Sequence, residues 1–353
     1  MRMKILYLFN RVRSGSFDVI KNDGENDNSF FGMYRLPHYG ISAEYLEIEQ
    51  FLAPRFANFL RRHFLNIHYI HLPLFFKFFK YDIIFTSTSF GSLLVKAIFG
   101  FKRPKWIMFD FSIAGMVGEG KTFRQKVFRF MVERGADGII TISKKEEERV
   151  KNLFPKIASR TKFIPLGTDI VFFKPNEGIS ETGAVLSVGK DPFRDYKTLV
   201  DAVKNTDIPL TIITRPEHIA PFLPLPANIN SKTVTTQELL TEYAKAKIFV
   251  LPLTLRTGIN EAVGTSTLVE AMAMGKAIIA TRTFTMESYI TDGENGILVP
   301  EGDSEAMRRA ILDLLQNEEK RKRIGRAARD FAVNHCDAEK FARSLADYFK
   351  EIS

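Results

Sequence analysis

What the chain lacks narrows it first. A single cysteine, Cys336, stands among 353 residues. No internal disulfide can form, and no Cys/His group has the spacing of a zinc site, so a reducing cytoplasm is expected and neither a covalent staple nor a metal is needed. Long apolar runs are missing too. The longest uncharged stretches, His63–Phe76 and Ile83–Val95, fall short of the ~20 residues that span a bilayer, and Lys77, Lys80 and Asp82 interrupt them. Near the start, KILYLF gives way to Asn10 and Arg11, too short a core for a signal peptide and read as a first strand. With 45% apolar and 26% charged residues the composition is that of a globular protein with a real core.

Acid is scarce in one region. Residues 50–81 contain no Asp or Glu, yet carry Arg55, Arg61, Arg62, Lys77 and Lys80 among eight phenylalanines. In PRFANFLRRHFL (54–65), Phe56, Phe59, Leu60 and Phe64 share one helical face, with the arginines largely elsewhere. An interfacial helix on anionic lipid has this pattern, and so does an ordinary core helix; both readings stay open. Residues 1–177 hold 28 Lys/Arg against 17 Asp/Glu, and the remainder 22 against 24, so the whole net charge of +9 is N-terminal. Such a field favours an anionic partner, a membrane surface met through residues 54–80 or a lipid-linked phosphate, although a solvated basic surface is the plainer account. Nucleic acid is not expected, because no binding motif accompanies the charge.

A chain of this length exceeds what one core usually supports. Continuous apolar runs at 4–9, 81–88, 105–111, 136–143 and 161–167 alternate with helical stretches, the signature of strands buried on both faces in a parallel sheet. Around Lys174–Gly183 the polar text KPNEGISETG reads as a linker. A second series follows at 184–189, 209–214, 247–253, 276–281 and 295–300, separated by helical patterns at 196–205, 236–246, 266–274, 286–292 and 303–316. Residues 338–352 place Phe341, Leu345, Tyr348 and Phe349 on one helical face. The expectation is α/β: two Rossmann-like doubly wound parallel-sheet domains facing a central cleft, with boundaries 1–177 and 178–336. Helix 337–353 is expected to pack back toward the first domain.

Ligands of such sheets bind beyond the carboxyl ends of the strands. SVGKDPFRDYKTL (187–199) puts a strand end at Gly189, cations at Lys190 and Arg194, and a helix start near Asp195. Two cations there suit a departing diphosphate; two loop cations facing water would look the same. GINEAVGTSTLVEAMAMGKAIIAT (258–281) opens a helix at Gly264, Thr265, Ser266 and Thr267, whose free N–H groups can receive a phosphate. Glu270, about one turn in, can accept two ribose hydroxyls, or is simply an acid favoured by the helix dipole. ITDGENGILVP (290–300) is a supporting turn and strand.

The order of these motifs resembles the retaining glycosyltransferases of family 4, well over residues 134–350 and weakly before. ADGIITISKKEEE and KFIPLGTDIVFFKP look like that family's end of the first domain, SVGKDPFRDYKTL like its diphosphate-binding segment, and LVEAMAMGKAIIAT like its donor helix. The resemblance implies a GT-B fold and transfer of a hexose-type sugar, with retained configuration, from a nucleotide-diphosphate sugar to a glycan or lipid-linked acceptor. No metal or other cofactor is required. Lys190, Arg194 and Glu270 fall on catalytic positions; Gly189, Gly264, Thr265, Ser266 and Thr267 join them in donor binding. Two departures stand out. The first acid of the family's Glu-x7-Glu motif falls at Ala262, with Glu261 one residue off, and the family's His-Asp appears as Phe109-Asp110, leaving Asp110 as a substitute. Gly15 and Gly32 are further candidates for close approach to a ligand, or turn glycines. The departures keep two alternatives open, a non-catalytic GT-B nucleotide- or glycan-binding subunit and a GT-B sugar-nucleotide epimerase or hydrolase. The enzyme is expected in the cytoplasm, or peripheral on the inner face of the cell membrane.

Overall fold

The computed structural model describes residues 2–9, 27–47, 55, 59, 71–87, 90–110, 112–183, 185–255 and 262–353. They form two compact units, Met1–Ile164 with Glu339–Ser353, and Pro165–Ala338.

The first unit is built on a six-stranded sheet of β1 (Lys4–Leu8), β2 (Ser42–Tyr45), β3 (Ile83–Thr86), β4 (Lys105–Asp110), β5 (Gly138–Thr141) and β6 (Thr161–Phe163). Its order is β2-β1-β3-β4-β5-β6, and every pairing is parallel. β3 and β5 are buried throughout, as their unbroken apolar text requires. Helices α1 (Phe90–Phe99), α2 (Ile113–Val117), α3 (Phe123–Gly135) and α4 (Lys144–Leu153) connect the strands. Thr122 and Gln125 close a capping box at the start of α3, and the Ser143 hydroxyl accepts the Glu146 N–H at the start of α4. Leu93, Trp106, Met108, Val132, Ile139 and Val150 centre the core.

The C-terminal helix, Ala338–Ile352, belongs to this unit. It buries Phe341, Leu345, Tyr348 and Phe349. Phe349 meets Phe85 of β3 at 5.4 Å between ring centroids, and Phe341 meets Phe109 of β4 at 6.2 Å. The Tyr348 hydroxyl donates to the Arg160 carbonyl, and a Cβ at Gly138 would overlap that hydroxyl. At the helix start Glu339 accepts from the Tyr39 hydroxyl at 2.7 Å.

The second unit holds β7 (Val185–Val188), β8 (Leu210–Ile213), β9 (Ile229–Lys232), β10 (Ile248–Leu251), β11 (Ala277–Thr281) and β12 (Ile297–Val299). The order is β12-β11-β10-β7-β8-β9, again all parallel. Helices α5 (Tyr196–Val203), α6 (Pro216–Ile219), α7 (Thr236–Lys245), α8 (Thr265–Ala273), α9 (Ser304–Gln316) and α10 (Glu318–His335) accompany it. The chain winds outward in both directions from β7 and β10, so the switch point lies between these neighbours and a crevice opens beyond their carboxyl ends.

Several local expectations change. Edge strands β2 (SAEY) and β9 (INSK) escape the apolar criterion because an edge strand is partly exposed and partly polar. The helix expected over 286–292 shrinks to a 3-10 turn at Met286–Ser288. There the Asn295 side chain takes the Thr291 N–H at 2.8 Å and gives to the Tyr289 carbonyl at 2.9 Å, turning the chain. Residues 174–183, read as a linker, pack within the second unit: Gly183 N–H donates to Lys245, and Glu181 pairs with Lys276 at 3.5 Å and Arg321 at 3.7 Å. Among the described residues no helix is long and apolar enough to cross a membrane.

Candidate functional site

β7 ends at Val188, and the chain leaves its carboxyl end through Gly189. After Gly189, the Asp191 carboxylate accepts from the Phe193 N–H at 3.1 Å and from Arg194 Nε at 2.8 Å, folding the loop on itself. Asp195 then caps α5, accepting from the Thr198 N–H at 3.1 Å. The loop is stitched to the exit of β10: Asp195 N–H donates to Pro252 and Thr254 N–H to Phe193, with a bridge between Arg194 and Leu253. Arg194 is thereby held at the switch point.

Its side chain is 2% exposed. Nη2 donates to Thr267 Oγ1 at 3.1 Å, on the first turn of α8. Nη1 is buried with no hydrogen-bond partner among the described residues, and it lies beside Gly264. A buried charged donor left unpaired is costly and points to a missing anion. Gly189 permits this geometry, since a Cβ there would overlap the guanidinium. Gly264 precedes α8 with φ +83, a conformation that favours glycine. The helix has no side-chain cap and no acid in its first turn, so the Ser266 and Thr267 N–H groups and the positive dipole end stay available, while the Thr265 N–H donates to the Ala262 carbonyl at 3.3 Å. Thr265 is turned away, its hydroxyl donating to the Ala262 carbonyl at 2.8 Å. Ser266 is exposed.

Glu270 follows on α8, half-buried. The Tyr243 hydroxyl on α7 feels both it and Arg194. Burial pushes that hydroxyl's pKa well up, the Glu270 carboxylate pushes it further, and the Arg194 guanidinium opposes. Tyr243 is fully buried and its hydroxyl has no partner among the described residues. Sequence reasoning missed it, because a tyrosine on the apolar face of TQELLTEYAK reads as core. Lys190 is exposed and has no ion pair among the described residues. Glu301 was also missed: it accepts from Thr254 Oγ1 at 3.1 Å and the Leu255 N–H at 2.6 Å, fixing the chain after β10. Gly189, Arg194, Gly264 and Thr267 are thus brought together, with Glu270 within electrostatic reach. Glu261 and Gly15 lie outside the described residues.

In the first unit, Phe109 sits where the resembled family carries histidine. It is 2% exposed, in ring contact with Phe31 at 5.2 Å and Phe85 at 5.4 Å. Asp110 is buried too. Its Oδ1 accepts from the Ser112 and Ile113 N–H groups, both at 2.6 Å, ordering the turn into α2. Burial raises its pKa well above the carboxylate range, the nearby Glu146 charge raises it further, and the two N–H donors oppose. Glu146 in turn accepts the Ala114 N–H at 2.8 Å and pairs with Arg149 at 3.2 Å. Gly32 has φ +74, and a Cβ there would touch Ala342 at 3.4 Å, so its close approach is to the C-terminal helix. A cavity of about 840 Å³ lies at the opposite end of the second sheet, by Lys276 and Arg321. Those cations are answered by Glu181, and the cavity is remote from β7's carboxyl end. Among the described residues no cluster has the composition of a metal site.

Comparison with known proteins bears on this geometry. Residues 215–331 match the model of the family described as glycosyl transferases group 1. An uncharacterized glycosyltransferase of Methanocaldococcus jannaschii is 24% identical over 310 residues, 79% of this chain and 78% of that protein. The MMP alpha-(1->4)-mannosyltransferase of Mycolicibacterium hassiacum is 25% identical over 236 residues, 63% of this chain and 56% of that protein. Among solved structures, Anabaena HepE in complex with UDP-glucose superposes with a TM-score of 0.67 at 16% identity, over 99% of this chain and 100% of that one. The two parallel sheets are those of a two-domain Rossmann-like GT-B fold, and the matches support a transferase enzyme of the glycosyltransferase class.

Proposed function

We propose that this chain is a retaining transferase of family 4 type, moving a hexose-type sugar from a nucleotide-diphosphate sugar to a glycan or lipid-linked acceptor. One observation carries the reading: the buried, unanswered Nη1 of Arg194 beside the uncapped start of α8. In this reading the donor diphosphate lies there. Arg194 Nη1 and the first N–H groups of α8 at Ser266 and Thr267 bind its oxygens, while Thr267 Oγ1 orients the guanidinium. Gly189 and Gly264 give the phosphates and the guanidinium room. Lys190, exposed beside Gly189, adds a second cation as charge develops. Glu270 accepts hydrogen bonds from the ribose hydroxyls.

The bond between the anomeric carbon and the diphosphate oxygen breaks, its electron pair leaving with the nucleotide, through an oxocarbenium-like state. The acceptor hydroxyl attacks the same face, and its proton passes to the departing phosphate. Catalysis then rests on stabilising leaving-group charge. Asp110 acts at a distance by ordering the turn into α2, and Glu261 remains the candidate for the missing first acid. We place the working enzyme in the cytoplasm, at an anionic membrane surface.

UDP is the first nucleotide to test, since Anabaena HepE was solved with UDP-glucose. A nucleotide at 100 times its dissociation constant should add ~2.7 kcal/mol to stability, read as a raised melting temperature. Arg194→Ala should abolish that shift and lower turnover about 10²–10³-fold. Wild-type nucleotide stabilisation in Arg194→Ala would remove the reading. The burial of Phe109 favours one second reading, a non-catalytic nucleotide-binding subunit: stabilisation without sugar transfer across a donor panel would select it.

A further inference from the structure

The first unit carries a feature that sugar transfer does not use. The 3-10 segment Leu72–Lys80 and the end of α1 bring aromatic rings together on the surface. Phe75 contacts Phe76 at 6.4 Å, Phe79 at 5.5 Å and Phe101 at 5.9 Å; Phe101 contacts Phe79 at 5.4 Å and stacks on Phe99 at 5.8 Å. Despite this clustering, Phe76 is 86% exposed, Phe99 68% and the adjoining Ile98 57%. A soluble surface rarely gathers such rings without a partner.

The exposed charge beside them is positive; the acid at this edge of β4, Asp137, accepts the Trp106 N–H at 2.7 Å and pairs with Lys96 and, at 3.7 Å, with Lys105. Lys77 and Lys80 on the 3-10 segment and Lys102 and Arg103 in the turn after α1 are all exposed. Between Gln50 and Phe109 the sequence has a single acid, Asp82, and its carboxylate accepts the Lys4 N–H at 2.8 Å. Glu44, on neighbouring β2, accepts from the Tyr81 hydroxyl at 2.9 Å. Both carboxylates are thus engaged with their own neighbours. The patch lies at the turn from α1 into β4, the amino-terminal edge of the sheet, away from strand ends where a substrate would sit.

We propose that Phe76, Phe79, Ile98 and Phe99, ringed by Lys80, Lys102 and Arg103, form a docking surface for an anionic lipid bilayer. The rings enter the headgroup boundary and the cations meet lipid phosphates. An acidic protein would satisfy the cations but leave Phe76 and Phe99 without a reason; a bilayer accounts for both. This deepens the membrane part of the proposed function and rests on it. It does not depend on the sugar chemistry.

The test uses the full chain and vesicles of phosphatidylcholine alone or with phosphatidylglycerol. The wild type should sediment with the anionic vesicles and be released by salt. Neutralising Lys80, Lys102 and Arg103 together (Lys80→Gln, Lys102→Gln, Arg103→Gln) should weaken partitioning about 100-fold, at roughly fivefold per charge. Phe76→Ser with Phe99→Ser should weaken it at least about tenfold. All five positions are exposed, and an unchanged melting temperature separates lost docking from lost fold. In a separate variant, Phe99→Trp, brominated lipid should quench an added emission that buried Trp106 does not supply. Equal binding to neutral vesicles, wild-type partitioning in both multiple variants, unquenched Phe99→Trp, or capture of acidic protein or nucleic acid in place of lipid would overturn the proposal. Nucleotide stabilisation measured on the same samples tells failure of docking from failure of the enzyme reading.

Discussion

Arg194 divides its guanidinium between three tasks: Nε answers Asp191, Nη2 holds Thr267, and Nη1 is left over. Arg194→Lys keeps the charge and loses the fork, so nucleotide stabilisation should fall nearly as far as in Arg194→Ala. Gly189→Ala tests the same residue from the other side. Its Cβ must displace the guanidinium, and we expect the nucleotide-induced rise in melting temperature to vanish while circular dichroism stays unchanged. The cations and glycines of this site were legible because their spacing follows the strand-to-helix turn. The Thr267 contact joins residues 73 apart and no local pattern announces it. Glu146 was hidden differently: in SKKEEE it resembles a first-turn acid, whereas it is buried against Ala114 and beside Asp110. That pair makes a prediction about pH. The folded state holds Asp110's proton above the ordinary carboxylate pKa, so its stabilising contribution is present at acid pH, below about 4, and is lost as pH rises through the raised value. Asp110→Asn keeps the Oδ1 acceptor and removes the titration. Urea denaturation should find the variant gaining on the wild type as pH rises from 4 toward neutrality; parallel curves would refute the account.

At the scale of elements, the same physics explains what was read and what was missed. Strands β3, β5, β7 and β10 are buried on both faces and spell it in unbroken apolar text. Edge strands β2 and β9 carry Glu, Asn and Lys, and register only once their neighbours are known. The stretch before β2 forms 3-10 turns at Asn28–Phe30 and Leu36–Tyr39, with left-handed Phe31 between them and Gly40 ending the second. For α8 the element-level prediction is a cost without a cap: Gly264→Ala forces a left-handed alanine, about 1–2 kcal/mol, and crowds Arg194 Nη1. Stability and nucleotide affinity should fall together, as measured by denaturation with and without UDP. In the C-terminal helix, Tyr348→Phe leaves the Arg160 carbonyl without its donor and should cost about 1–2 kcal/mol by the same measurement.

Across the whole molecule, the apolar face of the last helix was visible in its period, and its partners Phe85, Phe109 and Gly32 were not. The two units differ in how the chain supplies them. Pro165–Ala338 is one continuous stretch, while the other unit is Met1–Ile164 completed by Glu339–Ser353. A fragment of residues 165–338 should therefore unfold cooperatively by itself, whereas 1–164 should bind dyes that report exposed apolar surface until a peptide of 338–353 is added. Cooperative unfolding of 1–164 without the peptide would refute this. During synthesis, the ribosome releases the first unit's sheet early and its closing helix only after all of Pro165–Ala338 has been translated, a wait of roughly 10–30 s at about 5–20 residues per second. Throughout that interval the nascent chain presents an unfilled aromatic groove, a natural client for a holdase chaperone, and a stop codon anywhere in the later unit condemns the earlier one as well.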